Sequence, residues 1–107
     1  MTAKSELPKS FNELIHQSEI PVFVDFWAEW CGACKMAAPV IKQVSTAFKG
    51  KLITIKVNVD QKPAIASQYQ ISGIPTLMLF HRGKVLFRLS GAMPFESLRR
   101  EIEKYIA

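Results

Sequence analysis

The sequence contains only two cysteines, Cys31 and Cys34. That scarcity excludes a disulfide-built secreted scaffold, whose cysteines are more numerous and spread out to close long loops. A bridge between these two would close a tiny loop and contribute little by chain entropy. The pair is therefore poorly placed as a staple and well placed for chemistry. Histidine is equally sparse. His16 and His81 lack the spacing of metal ligands, and two cysteines alone cannot complete a tetrahedral zinc site, so no metal is expected. No stretch approaches the roughly 18 apolar residues of a membrane helix, and the longest apolar run, Ile20 to Ala28, is interrupted by Asp25. The N-terminal residues include a lysine with no apolar segment after it, so no secretory signal is expected in the sequence as given. A glycine-rich phosphate-binding fingerprint is also missing, which argues against a bound nucleotide.

Blocks of like charge are missing too. The formal net charge is +5, but Arg99 and Arg100 are followed at once by Glu101 and Glu103. No basic stripe is interleaved with aromatics. This pattern favours a solvated, mildly basic surface over nucleic acid or acidic partners.

What is present suits one domain spanning residues 1–107, with 49% hydrophobic residues to supply a single core. Ser10-x-x-Glu13 is a capping-box pattern opening a helix over Ser10 to Ser18, with Phe11, Leu14 and Ile15 on one face. Pro21 to Trp27 reads as a strand buried on both faces. Cys34 to Phe48 has helical period, with Ala37, Val40, Ile41, Val44 and Phe48 aligned and Pro39 as an internal breaker. Leu52 to Val59 is a second strand, and Pro63 starts a short helix through about Tyr69. Thr76 to His81 and Val85 to Leu89 form a hairpin around Arg82-Gly83. Pro94 opens a last helix with Leu98, Ile102, Tyr105 and Ile106 as its stripe. A strand before Ser10 has weak support, because Pro8 and polar residues lie there. The order implies an α/β fold in which a mixed sheet of four to five strands is covered by helices on both faces.

Cys31 follows a buried strand where a helix should begin. A helix N-terminus offers free N–H groups and a positive dipole end, and both stabilise a thiolate. The i, i+3 spacing brings Cys34 beside Cys31. Position then divides the work: Cys31, at the helix start, is the exposed attacking sulfur. Cys34, one turn inward and more buried, resolves the mixed disulfide. Gly32 leaves room for a partner backbone.

The run Val24-Asp25-Phe26-Trp27-Ala28-Glu29-Trp30-Cys31-Gly32-Ala33-Cys34-Lys35-Met36 resembles the active-site segment of thioredoxins. Ala38-Pro39, Val57-Asn58-Val59-Asp60, Ile74-Pro75-Thr76, Gly83 and Gly91-Ala92 follow in the family's order, from about residue 10 to the C-terminus. The resemblance implies the thioredoxin fold and a protein-disulfide reductase that uses a reversible Cys31–Cys34 disulfide and no further cofactor. It implies thioredoxin reductase and oxidised target proteins as partners. The reductase would be flavin-containing and NADPH-fed, or ferredoxin-linked. A cytoplasmic setting and a monomer are the simpler expectations. The resemblance also makes Pro75 a cis-proline beside the redox pair. Trp30, Gly32, Ala33, Gly73, Ile74, Gly91 and Ala92 would surround Cys31 as a flat docking surface. Asp25, a carboxylate inside a buried strand, faces a desolvation cost that raises its pKa. By the resemblance, Lys56 partners it and Asp25 accepts the proton of Cys34. Read from the residues alone, a structural ion pair or a solvent-facing aspartate stays open.

Two departures stand out. Ala33 occupies the position of the family's usual proline and restores an N–H near the sulfurs. The N-terminal region is short of strand signals. A thiol oxidase or isomerase of the same fold is disfavoured, because no histidine lies between the cysteines. A non-catalytic scaffold is disfavoured by the intact pair.

Overall fold

Ser10 accepts a hydrogen bond from the Glu13 N–H while Glu13 accepts one from the Ser10 N–H, and this reciprocal cap starts α1 (Phe11–Gln17). The computed structural model describes residues 10–106. After α1 come β1 (Val22–Trp27), α2 (Gly32–Ala47), β2 (Ile53–Asn58), α3 (Pro63–Gln68), β3 (Thr76–His81), β4 (Lys84–Ser90) and α4 (Phe95–Glu103). The strands form one sheet in the order β2-β1-β3-β4. β1 runs parallel to β2, through the α2 crossover, and antiparallel to β3; β3 and β4 are an antiparallel hairpin. This is the α/β arrangement expected from the sequence, with four strands among the described residues. The weakly supported strand before Ser10 falls outside them.

Alternation along β1 sorts the core into two layers. Phe23 points to the side covered by α2 and α4, where it joins Ile41, Val44, Phe48, Leu98 and Ile102. Val22, Val24 and Phe26 point to the side covered by α1 and α3, with Ile15, Met78 and Phe80. On that side Phe11 and Tyr69 pack their rings edge-on to Phe80. Asp25, two residues after Phe23, therefore faces the α2 layer.

Several boundaries differ from the sequence reading for physical reasons. The helical period marks α2 only from Cys34, but the helix starts at Gly32, directly after Cys31, where a helix start was expected, and the Cys31 sulfur serves as its N-cap acceptor. The helix continues through Pro39, and Val40 is only half-buried. Tyr105 lies past the end of α4 and is 44% exposed. Only Leu98 and Ile102 of the expected stripe are buried in α4. The hairpin turn has Arg82 at φ 54° and Gly83 at φ 84°, the left-handed pair of a tight two-residue turn.

Candidate active site

β1 ends at Trp27, and the chain then turns through Ala28–Trp30 into the first turn of α2. Cys31 has extended backbone (φ −91°, ψ 109°), so its carbonyl and side chain both face the start of the helix. The Cys34 N–H donates to Cys31 Sγ at 3.1 Å. A sulfur here takes the place usually held by a Ser, Thr or Asp oxygen. An anionic sulfur accepts more strongly than a neutral one, so the capping bond and the helix dipole both favour a Cys31 thiolate. The two sulfurs are joined as a disulfide, with Cα atoms 5.2 Å apart. Exposure barely separates the two cysteines, at 6% for Cys31 and 4% for Cys34. The expected contrast in burial is thus slight. The difference between them lies in position: Cys34 is inside the first helical turn, whereas Cys31 Sγ lies 3.6 Å from the Ile74 carbonyl oxygen.

Ile74 brings the second element to the site. The Ile74–Pro75 peptide is cis, and Pro75 is buried. The Gly91 N–H donates to the Pro75 carbonyl at 2.8 Å, fixing the end of β4 beside this segment. Gly91 reaches that position with φ 90°, a left-handed conformation that favours glycine. The Thr76 hydroxyl donates to the Gly73 carbonyl and closes the turn ahead of the cis bond. Gly32, Ala33, Gly73 and Ala92 are exposed, while Ile74 and Gly91 are half-buried.

Trp30 is 70% exposed, yet its indole is fixed. Its Nε1–H donates to Asp60 Oδ2 at 2.8 Å. Asp60 is fixed in turn by Asn58, whose Oδ1 accepts from the N–H groups of Asp60 (2.9 Å) and Gln61 (3.2 Å). Sequence reasoning did not single out Asn58 or Asp60 as site residues. The signal available was an Asx-type turn, Asn58-x-Asp60, at the C-terminal end of a parallel strand. Met36, 76% exposed one turn into α2, was also not singled out.

Asp25 lies on the face of β1 that α2 covers, opposite Leu77 of β3. It is 1% exposed, and its Oδ1 has no hydrogen-bond partner. Burial pushes its pKa from 3.8 up to about 6, and the charge of Lys56 partly offsets that rise. Lys56 is the Cα partner of Asp25 across the parallel β1–β2 pair. Its Nζ rests over the Trp27 ring, 4.7 Å from the centroid. No Asp25–Lys56 ion pair forms among the described residues. Lys56 therefore acts on Asp25 through its field. No group of three or more His, Cys, Asp or Glu among the described residues is arranged to hold a metal ion.

A cysteine pair at the start of a helix, on the strand-end rim of a mixed sheet, defines a thiol–disulfide oxidoreductase. Comparison with known proteins agrees. The thioredoxin family model matches residues 2–104, so the chain belongs to the thioredoxin family. It is 51% identical over 100 residues to thioredoxin 1 of Chlorobaculum tepidum, covering 94% of this chain and 99% of that one. It is 47% identical over 97 residues to a thioredoxin of Synechocystis, covering 91% of each. It is also 45% identical over 98 residues to a chloroplastic M-type thioredoxin of Spinacia oleracea, covering 92% of this chain and 54% of that one. The protein reduces protein disulfides by dithiol–disulfide exchange through Cys31 and Cys34.

Proposed function

We propose a division of roles within that exchange, carried by one observation: the Cys31 sulfur caps α2 and accepts the Cys34 N–H. The Cys31 thiolate attacks one sulfur of a target disulfide. A new S–S bond forms as the target bond breaks, and the departing target sulfur takes up a proton. Cys34 then loses its proton and attacks Cys31 Sγ, which releases the second target sulfur as a thiol. Two electrons and two protons pass from the Cys31–Cys34 dithiol to the target. Asp25, buried on the α2 side of β1 and with its pKa raised towards neutrality, accepts the Cys34 proton. Burial raises the Asp25 pKa and the charge of Lys56 limits that rise.

The target docks on Trp30, Gly32, Ala33, Gly73, Ile74, Gly91 and Ala92, with Pro75 beneath. The two N-terminal helix residues and the turn glycines leave the surface flat enough for an extended segment to reach the sulfur. No nucleotide-binding glycine loop occurs, so electrons must come from a partner protein, a thioredoxin reductase. We place the chain in a reducing compartment, the cytoplasm, where such a pair is kept as a dithiol. It works there as a monomer without a further cofactor.

Insulin reduction by dithiothreitol, followed by turbidity, tests the reading. Wild type accelerates precipitation, and Cys31→Ser abolishes the effect. Cys34→Ser traps a mixed disulfide on Cys31, visible as added mass. A trap on position 34 in Cys31→Ser, with none on Cys31 in Cys34→Ser, would reverse the roles.

A further inference from the structure

The two helices that cover one sheet face carry their charges very differently. On α4, Arg99 pairs with Glu96 and Glu103, and just past its end Lys104 pairs with Glu101. These acids and bases neutralise one another. α2 contains no acidic residue. Its Lys35 and Lys42, and Lys49 just beyond its end, recur every seven residues. Two helical turns return a side chain to within about 20° of the same line, so Lys35 and Lys42 stand one above the other. All three lysines are exposed, and none makes an ion pair among the described residues. The basic excess, read in the sequence as a solvated, mildly basic surface, is thus partly concentrated along one helix.

That line starts at the redox site. Lys35 follows Cys34 directly, next to the exposed Met36. At 1.5 Å rise per residue Lys35 and Lys42 are about 10 Å apart along the axis, and Lys49 follows just past the helix end. The spacing is slightly beyond the screening length of about 8 Å at physiological salt and well inside that of about 30 Å at 0.01 M, so their fields overlap at low ionic strength. Beside the line, Lys42 shares a groove of about 430 Å³ with Pro39, Thr46 and Phe95.

Building on the exchange function, we propose that the Lys35–Lys42–Lys49 line is a docking surface for an acidic segment of a disulfide-bearing protein. That segment lies along α2 while the partner's disulfide sits at Cys31. Charge complementarity selects an acidic partner, and the adjoining apolar groove accepts its non-polar side chains. A nucleic acid is disfavoured because the one aromatic lining the groove is the half-buried Phe95, which offers no row of exposed rings for stacking successive bases.

Two synthetic cystine peptides that differ only in a flanking run of glutamates or glutamines test this. Wild type reduces the glutamate peptide with a kcat/KM roughly tenfold higher at low ionic strength, and added salt erases the preference. Lys42→Gln/Lys49→Gln, changed away from the sulfurs, loses most of the preference. It keeps the wild-type rate on the glutamine peptide and the wild-type reduction potential. An equal salt response for both peptides, or a preference intact in the double variant, would overturn the proposal. So would stronger competition by a single-stranded oligonucleotide than by a free glutamate peptide. Failure to reduce the glutamine peptide would instead overturn the exchange reading itself.

Discussion

Asp25 and Lys56 sit opposite each other in register on adjacent parallel strands, yet the ammonium rests on the Trp27 ring and the carboxylate Oδ1 has no hydrogen-bond partner. A lysine that acts through its field lowers the pKa of its neighbour without fixing its geometry. The rate of mixed-disulfide resolution should therefore rise as Asp25 loses its proton, with an inflection near the value of about 6 that burial sets. Lys56→Gln removes the lowering charge and should move the inflection to higher pH. Asp25→Asn should remove it. Single-turnover resolution across pH checks all three, and an inflection unmoved by Lys56→Gln would separate the lysine from the proton transfer.

The same burial has a consequence for stability. A carboxyl group whose native pKa is raised binds more protons folded than unfolded. Its contribution is fully present below 3.8 and is lost as pH rises through about 6. At pH 7 the buried charge costs about 3 kcal/mol, the free-energy equivalent of that rise. Asp25→Asn should thus be more stable than wild type by about 1–3 kcal/mol at pH 7. The gain should shrink as pH falls towards 4. Denaturant titrations at several pH values measure it, and equal stabilities at pH 7 would mean that the charge is compensated.

Trp30 is held by Asp60, which is held by Asn58. Asp60→Ala should free the indole at little cost to the fold, because the bond is exposed. It should raise KM for protein disulfides several-fold and leave the reaction with small disulfides unchanged. Asn58→Ala breaks two bonds from a side chain that is 8% exposed. It should destabilise the protein by about 1–3 kcal/mol. Paired measurements of KM and unfolding free energy distinguish the two effects.

Local chemistry carried most of what the sequence made legible. The Ser10–Glu13 box, the β-branched run before Trp27 and the Arg82-Gly83 turn each have a signal within a few residues. So does the Cys31–Cys34 spacing. Relations between distant side chains were not legible. Nothing near Asn58 in sequence says that its turn will hold Trp30, and nothing near Lys56 says that its ammonium will settle on Trp27. The α2 start at Cys31 was legible from the strand before it, but the apolar period picked up the helix only from Cys34, because Gly32 and Ala33 add no large apolar residue to the stripe. Tyr105 was misplaced because periodicity does not mark where a helix stops. His16 carried no signal, since its neighbour Gly83 is reached only once the hairpin folds back on α1.

That contact is testable. The Gly83 N–H donates to the Ile15 carbonyl at 2.8 Å, and a Cβ on Gly83 would run into the His16 ring. Gly83→Ala should cost about 1–2 kcal/mol from its left-handed backbone, plus a steric penalty. Adding His16→Ala should recover the steric part only. A double-mutant cycle with a coupling near zero would place the whole cost in the backbone. Insulin reduction should be unchanged, because the turn lies at the opposite end of β3 from Pro75, about 20 Å away.

Ala33 is exposed in the first turn of α2, at the position where proline is usual in the family. The donor to Cys31 Sγ is the Cys34 N–H, and a proline at 33 would leave that donor in place. What proline would remove is the Ala33 N–H, one of the unpaired first-turn donors whose partial charge also favours the thiolate. Thiolate stabilisation favours the dithiol state, so wild type should have the less negative reduction potential. Because only a secondary donor is lost, the difference should be modest, on the order of 10–30 mV, where 30 mV corresponds to about 1.4 kcal/mol for this two-electron couple. The Cys31 thiol pKa should rise in Ala33→Pro in the same sense. Equilibration with glutathione, with thiolate absorbance followed in parallel, measures both. A more negative potential in wild type than in Ala33→Pro would mean that proline's constraint on the first turn outweighs the lost donor.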